Sequence, residues 1–486
     1  MTGRAKNLRS PSRASAESQP AHPSPRAVAW RVLDAVQNRG AYANLFLPQV
    51  LSGTTLEPRD RAFVTDIVYT TLRWRGLIDS VIEHAAKRAV SAIDSHSLTA
   101  LRLGIAQALL LEVPAHAAVS TTVDLVAEIG APNARGFVNA VMRSATAENL
   151  ETWQTVCSAN RDEIDALATA WSHPRWIVIA LRDALRADGR DVDDLPDLLA
   201  ADNAGTRPTL CIRPGLTSRD ELIDATQGHA GQWSDLAITG VRGDIGAIPA
   251  VAVGHAGAQD EGSQVVALIA SGLPIDGPDT QWLDMCAGPG GKAAILAGLA
   301  AQRGAHLTAI DAHEHRIRLV QSAVKNYPGV RTSVGDSTQL AAFDWYADES
   351  FDRVLVDAPC SGIGSLRRRP DLRWHRSAGD VADLAPLQEQ LLSAALRAVR
   401  AGGLVIYATC SPHISETTVV VDRVRANAAR AGVNSDVIDL SSHLGVVSGI
   451  NNSTQLMSLM QGQKYLRLWP HLHSTDGMFV AALRRI

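Results

Sequence analysis

Apolar side chains recur at about every fourth position in the first part of the chain. This spacing places each series on one face of a helix, and breaks near residues 53, 114 and 130–132 separate segments of ordinary helix length. Few strand patterns interrupt them, so we predict an all-helical domain over residues 27–150. Two of the series are Val64, Val68 and Leu72, and Leu101, Ile105 and Leu109.

The pattern changes over residues 151–259. A helical piece at 176–187 is followed by a short strand at 209–213, and Ser218 with Glu221 has the spacing of a capping box that starts another helix. These elements predict linker helices and a small α+β segment.

From residue 260 onward, short apolar runs alternate with segments long enough for crossover helices. This alternation predicts a Rossmann-like α/β domain over residues 260–486, with a mostly parallel, doubly wound sheet. Ligands bind such sheets beyond the carboxyl ends of the strands, at the point where the strand order reverses. The predicted strands are 282–286, 307–311, 330–335, 351–357 and 404–409.

Length and charge set limits on the partners. A chain of 486 residues predicts roughly three domains of about 150 residues each. A formal net charge of -4 means that local basic patches, and not the overall field, would have to hold any nucleic acid. No apolar stretch reaches membrane-spanning length, so we expect a cytoplasmic protein with no membrane partner, and a monomer in the absence of an apolar heptad pattern.

The cysteines and the first residues of the chain indicate which structural sites and segments to expect. The five cysteines form no Cys-x-x-Cys pair, so we expect neither a disulfide scaffold nor a metal site. Residues 1–26 are rich in Ser, Pro and Arg, and they predict a disordered tail. The same composition also fits an organelle transit peptide.

The first predicted strand runs into a glycine-rich turn, DMCAGPGGK, at residues 284–292. Glycines let a backbone approach a ligand closely, and the following helix start offers free N–H groups. The turn matches neither the dinucleotide fingerprint nor the phosphate loop, which disfavours a dehydrogenase and a nucleotide triphosphatase. We predict a cofactor-binding loop made of Cys286, Ala287, Gly288, Pro289, Gly290, Gly291 and Lys292.

Two acidic residues follow the next strands. Asp311 lies where an acid binds ribose hydroxyls in this architecture, so the cofactor is predicted to contain a nucleoside. Asp336 would then suit the adenine amino group. Each acid is equally placed to cap a helix N-terminus.

Two cysteines follow the last two predicted strands. Asp357-Ala358-Pro359-Cys360 ends the fourth strand, and Thr409-Cys410 ends the fifth. Neighbouring parallel strands bring their carboxyl ends to one edge, so both thiols are predicted to face the same cleft. A buried structural cysteine would more naturally lie in mid-strand.

A basic run follows Cys360. Arginine side chains beside a tryptophan offer phosphate contacts and a stacking surface, as single-stranded nucleic acid requires, although a solvated loop has the same composition. The predicted RNA-binding residues are Arg367, Arg368, Arg369, Arg373, Trp374 and Arg376.

Together these motifs resemble the RNA 5-methylcytosine methyltransferase family of Sun/Fmu type. The blocks are 284–292, 357–374 and 407–411, with 259–264 upstream and 469–477 near the end. Residues 59–61 and 137–141 in the helical part resemble the NusB-like RNA-binding domain, which precedes the catalytic domain in the bacterial 16S ribosomal RNA enzymes. Gly288, Ala293 and Met478 stand where the family more often has Ala, Thr and Phe.

The resemblance implies the chemistry and the cofactor, S-adenosylmethionine. Cytosine carbon 5 becomes nucleophilic only after a thiolate adds to carbon 6. The family assigns that attack to Cys410 and assistance in adduct breakdown to Cys360, while Asp357 would bind the cytosine edge. A cationic neighbour such as Lys292 would favour the Cys410 thiolate, although Lys292 could equally have a structural role at the glycine turn.

Other functions fit parts of the pattern. The substrate could be another RNA such as transfer RNA, or DNA, in which case Cys360 would attack. The protein could also be a NusB-like RNA-binding assembly factor without catalysis, although both thiols and the carboxylates are present.

Overall fold

The computed structural model describes residues 23–486. Most of the predicted tail therefore lies outside the described residues. Its last two positions were assigned wrongly, because Pro25 and Arg26 form the start of the first helix. The Ser24 side chain caps that helix by accepting a hydrogen bond from the Ala27 N–H at 3.1 Å.

The first part of the structure is helical, as the four-residue spacing predicts. Its buried cluster extends from Val28 to Cys157, so it includes one helix beyond residue 150. The helices are α1 Pro25–Arg39, α2 Ala43–Ser52, α3 Pro58–Arg73, α4 Arg75–Ala86, α5 Ser95–Leu110, α6 Ala115–Glu128, α7 Arg135–Ala145 and α8 Leu150–Ser158.

Three further helices connect this bundle to the rest of the molecule. They are α9 Glu163–Ala170, α10 Arg175–Ala187 and α11 Leu195–Asn203. Their apolar faces, with Leu181 and Leu198, form one buried cluster with Ile363, Leu372 and Trp469 from distant parts of the chain. Burial of this apolar surface holds the linker helices against the segment that follows Cys360.

A small antiparallel sheet follows, as predicted for the α+β segment. Its strand order is β2-β3-β1-β4. The capping box of Ser218 and Glu221 is present at the start of its helix. The elements are β1 Leu210–Ile212, α12 Arg219–Thr226, β2 His229–Ala230, β3 Ala237–Thr239, α13 Pro249–Ala252 and β4 Ala256–Ala258.

The remainder forms a mostly parallel sheet with helices on both faces. The elements are α14 Glu261–Gly272, β5 Gln281–Asp284, α15 Gly291–Gln302, β6 His306–Asp311, α16 Glu314–Val324, β7 Val330–Val334, β8 Phe351–Asp357, α17 Leu372–His375, α18 Ala378–Ala398, β9 Val399–Thr409, α19 Thr418–Arg430, β10 Ser435–Ile438, α20 Leu440–His443, α21 Ser453–Leu459, β11 Leu466–Leu468, α22 Pro470–His473 and β12 Met478–Arg485.

The strand order is β10-β12-β9-β8-β5-β6-β7, and β11 pairs with β12. The five predicted strands are present as β5 to β9, and neighbours among them pair in parallel. The order reverses between β5 and β8, which is where the fold predicts a binding cleft. Among residues 23–486, no helix is both long and apolar enough to span a membrane.

Candidate active site

The glycine turn lies between β5 and α15, as predicted. Gly290 has φ +110°, and a Cβ there would lie 2.7 Å from the Cβ of Ala323, so only glycine fits. The Gly288 N–H donates to Asp311 Oδ2 at 3.0 Å, which ties the turn to the end of β6. The backbone N–H groups at the start of α15 therefore face the reversal point of the sheet.

Asp284, which the prediction did not include among the site residues, is the most informative group of this turn. It is 1% exposed, and its Oδ2 has no hydrogen-bond partner among the described residues. Burial, and secondly the charge of Asp357, raises the pKa of Asp284 to about 7. A buried oxygen without a partner is expensive, so it fits a ligand that brings a donor. The ammonium group of an amino-acid cofactor such as S-adenosylmethionine is such a donor.

The two acids predicted to bind the nucleoside differ in their surroundings. Asp311 is buried and accepts hydrogen bonds from the backbone N–H of Gly288 and of His313. Asp336 is exposed and caps a short 3₁₀ turn through Thr338 N at 2.9 Å. Both lie at strand ends, but their present hydrogen bonds are structural. Their contacts with a cofactor stay predictions.

The two predicted thiols are adjacent. Asp357 at the end of β8 pairs in register with Ala408 near the end of β9, and this register brings the following segments together. The distance between Cys360 Sγ and Cys410 Sγ is 3.4 Å. The prediction that both thiols face one cleft is consistent with this distance.

The surroundings of the two thiols make them chemically different. The hydrogen bond from Cys360, aided by the nearby charge of Lys292, lowers the pKa of Cys410, although burial and Asp357 oppose this effect. The same hydrogen bond, together with burial, raises the pKa of Cys360 well above its usual range. These directions favour Cys410 over Cys360 as the sulfur that loses its proton first.

Lys292 and Asp357 form an ion pair beside Cys410, with Nζ 2.8 Å from Oδ2. Burial disfavours the ammonium charge, but Asp357, together with Cys410 and Asp284, outweighs burial and raises the pKa of Lys292. The lysine therefore remains a cation next to the thiol, which supports the electrostatic role considered from the sequence. Cys286 is not a competing nucleophile, because burial raises its pKa.

Four arginines of the basic run lie at or near the protein surface, and the other two predicted residues donate hydrogen bonds to the helical part. Arg367 and Arg368 form ion pairs with the buried carboxylates of Asp260 and Asp476 at the edge of the cleft. The Arg368 side chain is nevertheless 40% exposed. Arg369 lies 5.9 Å from the centre of the Tyr42 ring. Arg376 pairs with Asp380. RNA contacts by these four arginines stay predictions.

Arg373 was assigned wrongly as an RNA contact, and Trp374 is partly buried beside it. The Arg373 side chain is buried and donates to Arg73 O, Ser172 O and Asp202 O. The Trp374 Nε1–H donates to Leu72 O at 2.7 Å. Both side chains join the catalytic segment to the helical part. The buried Arg373 is not free to meet a phosphate, whereas a base contact by Trp374 stays a prediction.

A buried carboxylate also lies beneath the thiols and was missed in the prediction. Glu416 accepts hydrogen bonds from the backbone N–H and the side chain of Ser361, the residue after Cys360. Glu416 lies six residues after Cys410, and no motif in the sequence marks it as a site residue. Among residues 23–486, no group of His, Cys, Asp and Glu is arranged to hold a metal ion.

The fold and this cleft define the class of protein, which is an S-adenosylmethionine-dependent methyltransferase. The family model of 16S rRNA methyltransferase RsmB/F matches residues 274–484, and the NusB family model matches residues 23–147. The chain belongs to the RsmB/F family, with a NusB domain at its start. The predicted family, domain combination and cofactor are confirmed.

Similar proteins span nearly the whole chain. A Mycobacterium tuberculosis protein named as a methyltransferase is 44% identical, across 96% of this chain and 98% of its own length. Ribosomal RNA small subunit methyltransferase B of Xanthomonas campestris is 34% identical, across 82% of this chain and 86% of its own. The crystal structure of PH0851 shares the fold, with a TM-score of 0.72 and 20% identity over 96% of this chain and 100% of that one.

Proposed function

We propose that this protein methylates carbon 5 of a cytosine in 16S ribosomal RNA through a covalent bond between Cys410 and the base. The observation that carries the proposal is the pair of unlike thiols 3.4 Å apart beyond the carboxyl ends of β8 and β9. Bacterial relatives named as ribosomal RNA small subunit methyltransferase B support the substrate, and they favour the cytoplasm as the place of action.

The chain's own residues account for the activation of the base. Cys410 Sγ, as the thiolate, forms a bond to carbon 6, and the electron pair of the carbon 5–carbon 6 double bond makes carbon 5 nucleophilic. Asp357, fixed by Lys292, would hydrogen-bond the cytosine edge and favour this redistribution of charge. S-adenosylmethionine, held by the glycine turn and the oxygen of Asp284, supplies an electrophilic methyl group when bound.

Release of the methylated base requires cleavage of the bond between Cys410 and carbon 6. The carbon 6–Sγ bond breaks and its electron pair returns to Cys410, while the carbon 5 hydrogen leaves as a proton to water and the carbon 5–hydrogen electron pair restores the double bond. Cys360 assists because its S–H donates to the departing sulfur. A better-stabilised thiolate leaves faster.

The pKa directions favour this assignment over the DNA-type alternative in which Cys360 attacks. A nucleophile needs a thiolate, and the lowered pKa belongs to Cys410. The target carbon is inaccessible in a base stack, so the cytosine must be unpaired or flipped into the cleft. The NusB domain and the exposed Arg368 are the proposed RNA contacts.

The test is a trapping experiment in cells. Wild type, Cys360→Ala, Cys410→Ala and the double variant are expressed and compared on a denaturing gel for slow-migrating, ribonuclease-sensitive protein. Cys157→Ala is the matched control, because Cys157 is buried in the separate apolar cluster of the helical part. We expect an adduct with Cys360→Ala alone, and sequencing of the trapped RNA would name its cytosine.

Three other outcomes would contradict the proposal. An adduct with Cys410→Ala would exchange the two thiol roles, and trapped DNA would change the substrate. Nucleoside analysis of 16S RNA that has reacted with purified wild type and S-adenosylmethionine must show 5-methylcytidine. RNA binding without that product would favour the non-catalytic assembly factor.

A further inference from the structure

Glu416 is a fully buried acid close to the two thiols. It is 0% exposed, and no lysine, arginine or histidine of the part of the chain that the structure describes forms an ion pair with it. An isolated buried carboxylate is costly to fold around, so its retention calls for a physical reason. The reason is found in what its two oxygens contact.

The carboxylate holds the turn that carries Cys360. The Ser361 N–H donates to Oε1 at 2.7 Å, and the Ser361 hydroxyl donates to Oε2 at 2.6 Å. Gln388 Nε2 donates to Oε1 at 3.2 Å and also to the carbonyl of Pro359 at 2.9 Å. The residues on both sides of Cys360 are therefore fixed by one buried network.

Glu416 is itself held in place. It ends a 3₁₀ turn, Ile414–Glu416, that follows Cys410, and the Tyr407 hydroxyl donates to its carbonyl at 2.8 Å. Ser361 Oγ also lies 3.2 Å from Ser411 Oγ, the residue after Cys410. The network thus spans the two segments that carry the two thiols.

We propose that Glu416 is a positioning residue for methyl transfer: its carboxylate fixes the Cys360 turn and, by its charge, keeps Cys360 the protonated donor to Cys410. This role rests on the proposed function, because it explains how two adjacent thiols take different parts in one reaction. The turn sets the distance between the sulfurs, and the charge decides which of them holds the proton.

The charge acts in the required direction. After the hydrogen bond with Cys410 and burial, the negative charge of Glu416 is a further cause that raises the pKa of Cys360. A thiol held protonated can donate to Cys410 before attack and again at release. The loss of this charge would let the proton move between the two sulfurs, so a larger share of the thiolate would be on Cys360.

The experiment measures this share directly in the folded, full-length protein. Wild type, Glu416→Gln and Ser361→Ala are alkylated with iodoacetamide from pH 6 to pH 10, and peptide mass spectrometry gives separate rates at Cys360 and Cys410. Glu349→Gln is the matched control, because Glu349 precedes β8, at the end of that strand away from Cys360, and pairs with Arg485. Melting curves establish that each variant is folded.

We expect Glu416→Gln to raise the ratio of alkylation at Cys360 to that at Cys410 by about tenfold at pH 7.5, the equivalent of one pKa unit. With 16S RNA, its kcat should fall while its KM stays near the wild-type value, because the surface of the cleft is unchanged. Glu349→Gln should match wild type in both measurements. Ser361→Ala keeps the charge, so it should lower kcat with a smaller change of the ratio.

The role of Glu416 and the covalent mechanism fail in different ways. If Glu416→Gln leaves the alkylation ratio and kcat at wild-type values while Cys410→Ala is inactive, the role of Glu416 is wrong and the mechanism stands. An equal loss of alkylation at both cysteines with a lower melting temperature would show a purely structural role. If Cys410→Ala retains full activity, the covalent mechanism itself is wrong.

Discussion

Replacement of Arg373 by alanine tests whether the basic run joins domains. The guanidinium is 1% exposed and donates to Arg73 O at 2.8 Å, Ser172 O at 3.1 Å, Asp202 O at 2.9 Å and Asn203 Oδ1 at 2.7 Å. Three of these acceptors are backbone carbonyls, which cannot turn away to find other donors.

The size of the effect follows from the lost donors. A buried acceptor left without a partner costs about 1–3 kcal/mol, and the removal of one member of a buried charged cluster costs about 3–5 kcal/mol in total. The variant no longer has to bury a cation, so we expect the lower part of that range, about 3 kcal/mol. At roughly 2–4 °C per kcal/mol for units of this size, the melting temperature should fall by about 10 °C.

The assay is calorimetry of the full chain, with Arg376→Ala as the control from the same run. Among residues 23–486, Arg376 forms an ion pair with Asp380 alone, four residues along, and its side chain is 28% exposed. Such pairs contribute less than about 1 kcal/mol. The proposed role of the buried Arg373 hydrogen bonds is refuted if Arg373→Ala melts within 2 °C of wild type. It is also refuted if Arg376→Ala lowers the melting temperature as much as Arg373→Ala does.

Two further predictions concern buried charges. Burial raises the pKa of Asp202 to about 7, so the folded protein holds a proton that the unfolded chain releases near pH 4, and stability is lost as the pH rises from about 4 to 7. The melting temperature of Asp202→Asn should therefore rise relative to wild type as the pH increases from 5 to 8. Asp197→Asn, a change at an exposed position of the same helix, should show no such rise. A difference between Asp202→Asn and wild type that does not change with pH would contradict this prediction. Lys292→Met removes the cation beside Cys410, so iodoacetamide should alkylate Cys410 about tenfold more slowly at pH 7.5, and an unchanged rate would exclude the electrostatic role.

The parallel strands could be predicted from the sequence because strands buried on both faces have continuous apolar runs that end in acids or glycines. The predicted run 351–357 coincides with β8, and 307–311 lies within β6. β12 was missed, although residues 479–483 are an equally apolar run. Its place between β9 and β10 depends on antiparallel pairing with residues 44 to 80 positions earlier in the chain, which no local pattern specifies.

The sequence is sufficient to predict the proximity of the two thiols, but it is not sufficient to predict the function of the basic run. Each thiol follows a strand end, and the register of two neighbouring strands is enough to bring Cys360 and Cys410 together. The function of an arginine depends instead on what faces it. The acceptors of Arg373 lie 170 to 300 residues away in sequence, so composition alone cannot separate a phosphate contact from a structural joint.

The segment after Cys360 therefore has two fixed ends. Glu416 holds Ser361 at one end, and the helical part and linker helices hold Arg373 at the other. Only twelve positions separate Ser361 from Arg373, and the exposed Arg368 lies between them. A movement of the helical part on RNA would act on this short segment, because neither end can shift without the loss of buried hydrogen bonds. The position of Cys360 beside Cys410 and the docking of the helical part thus depend on the same stretch of chain.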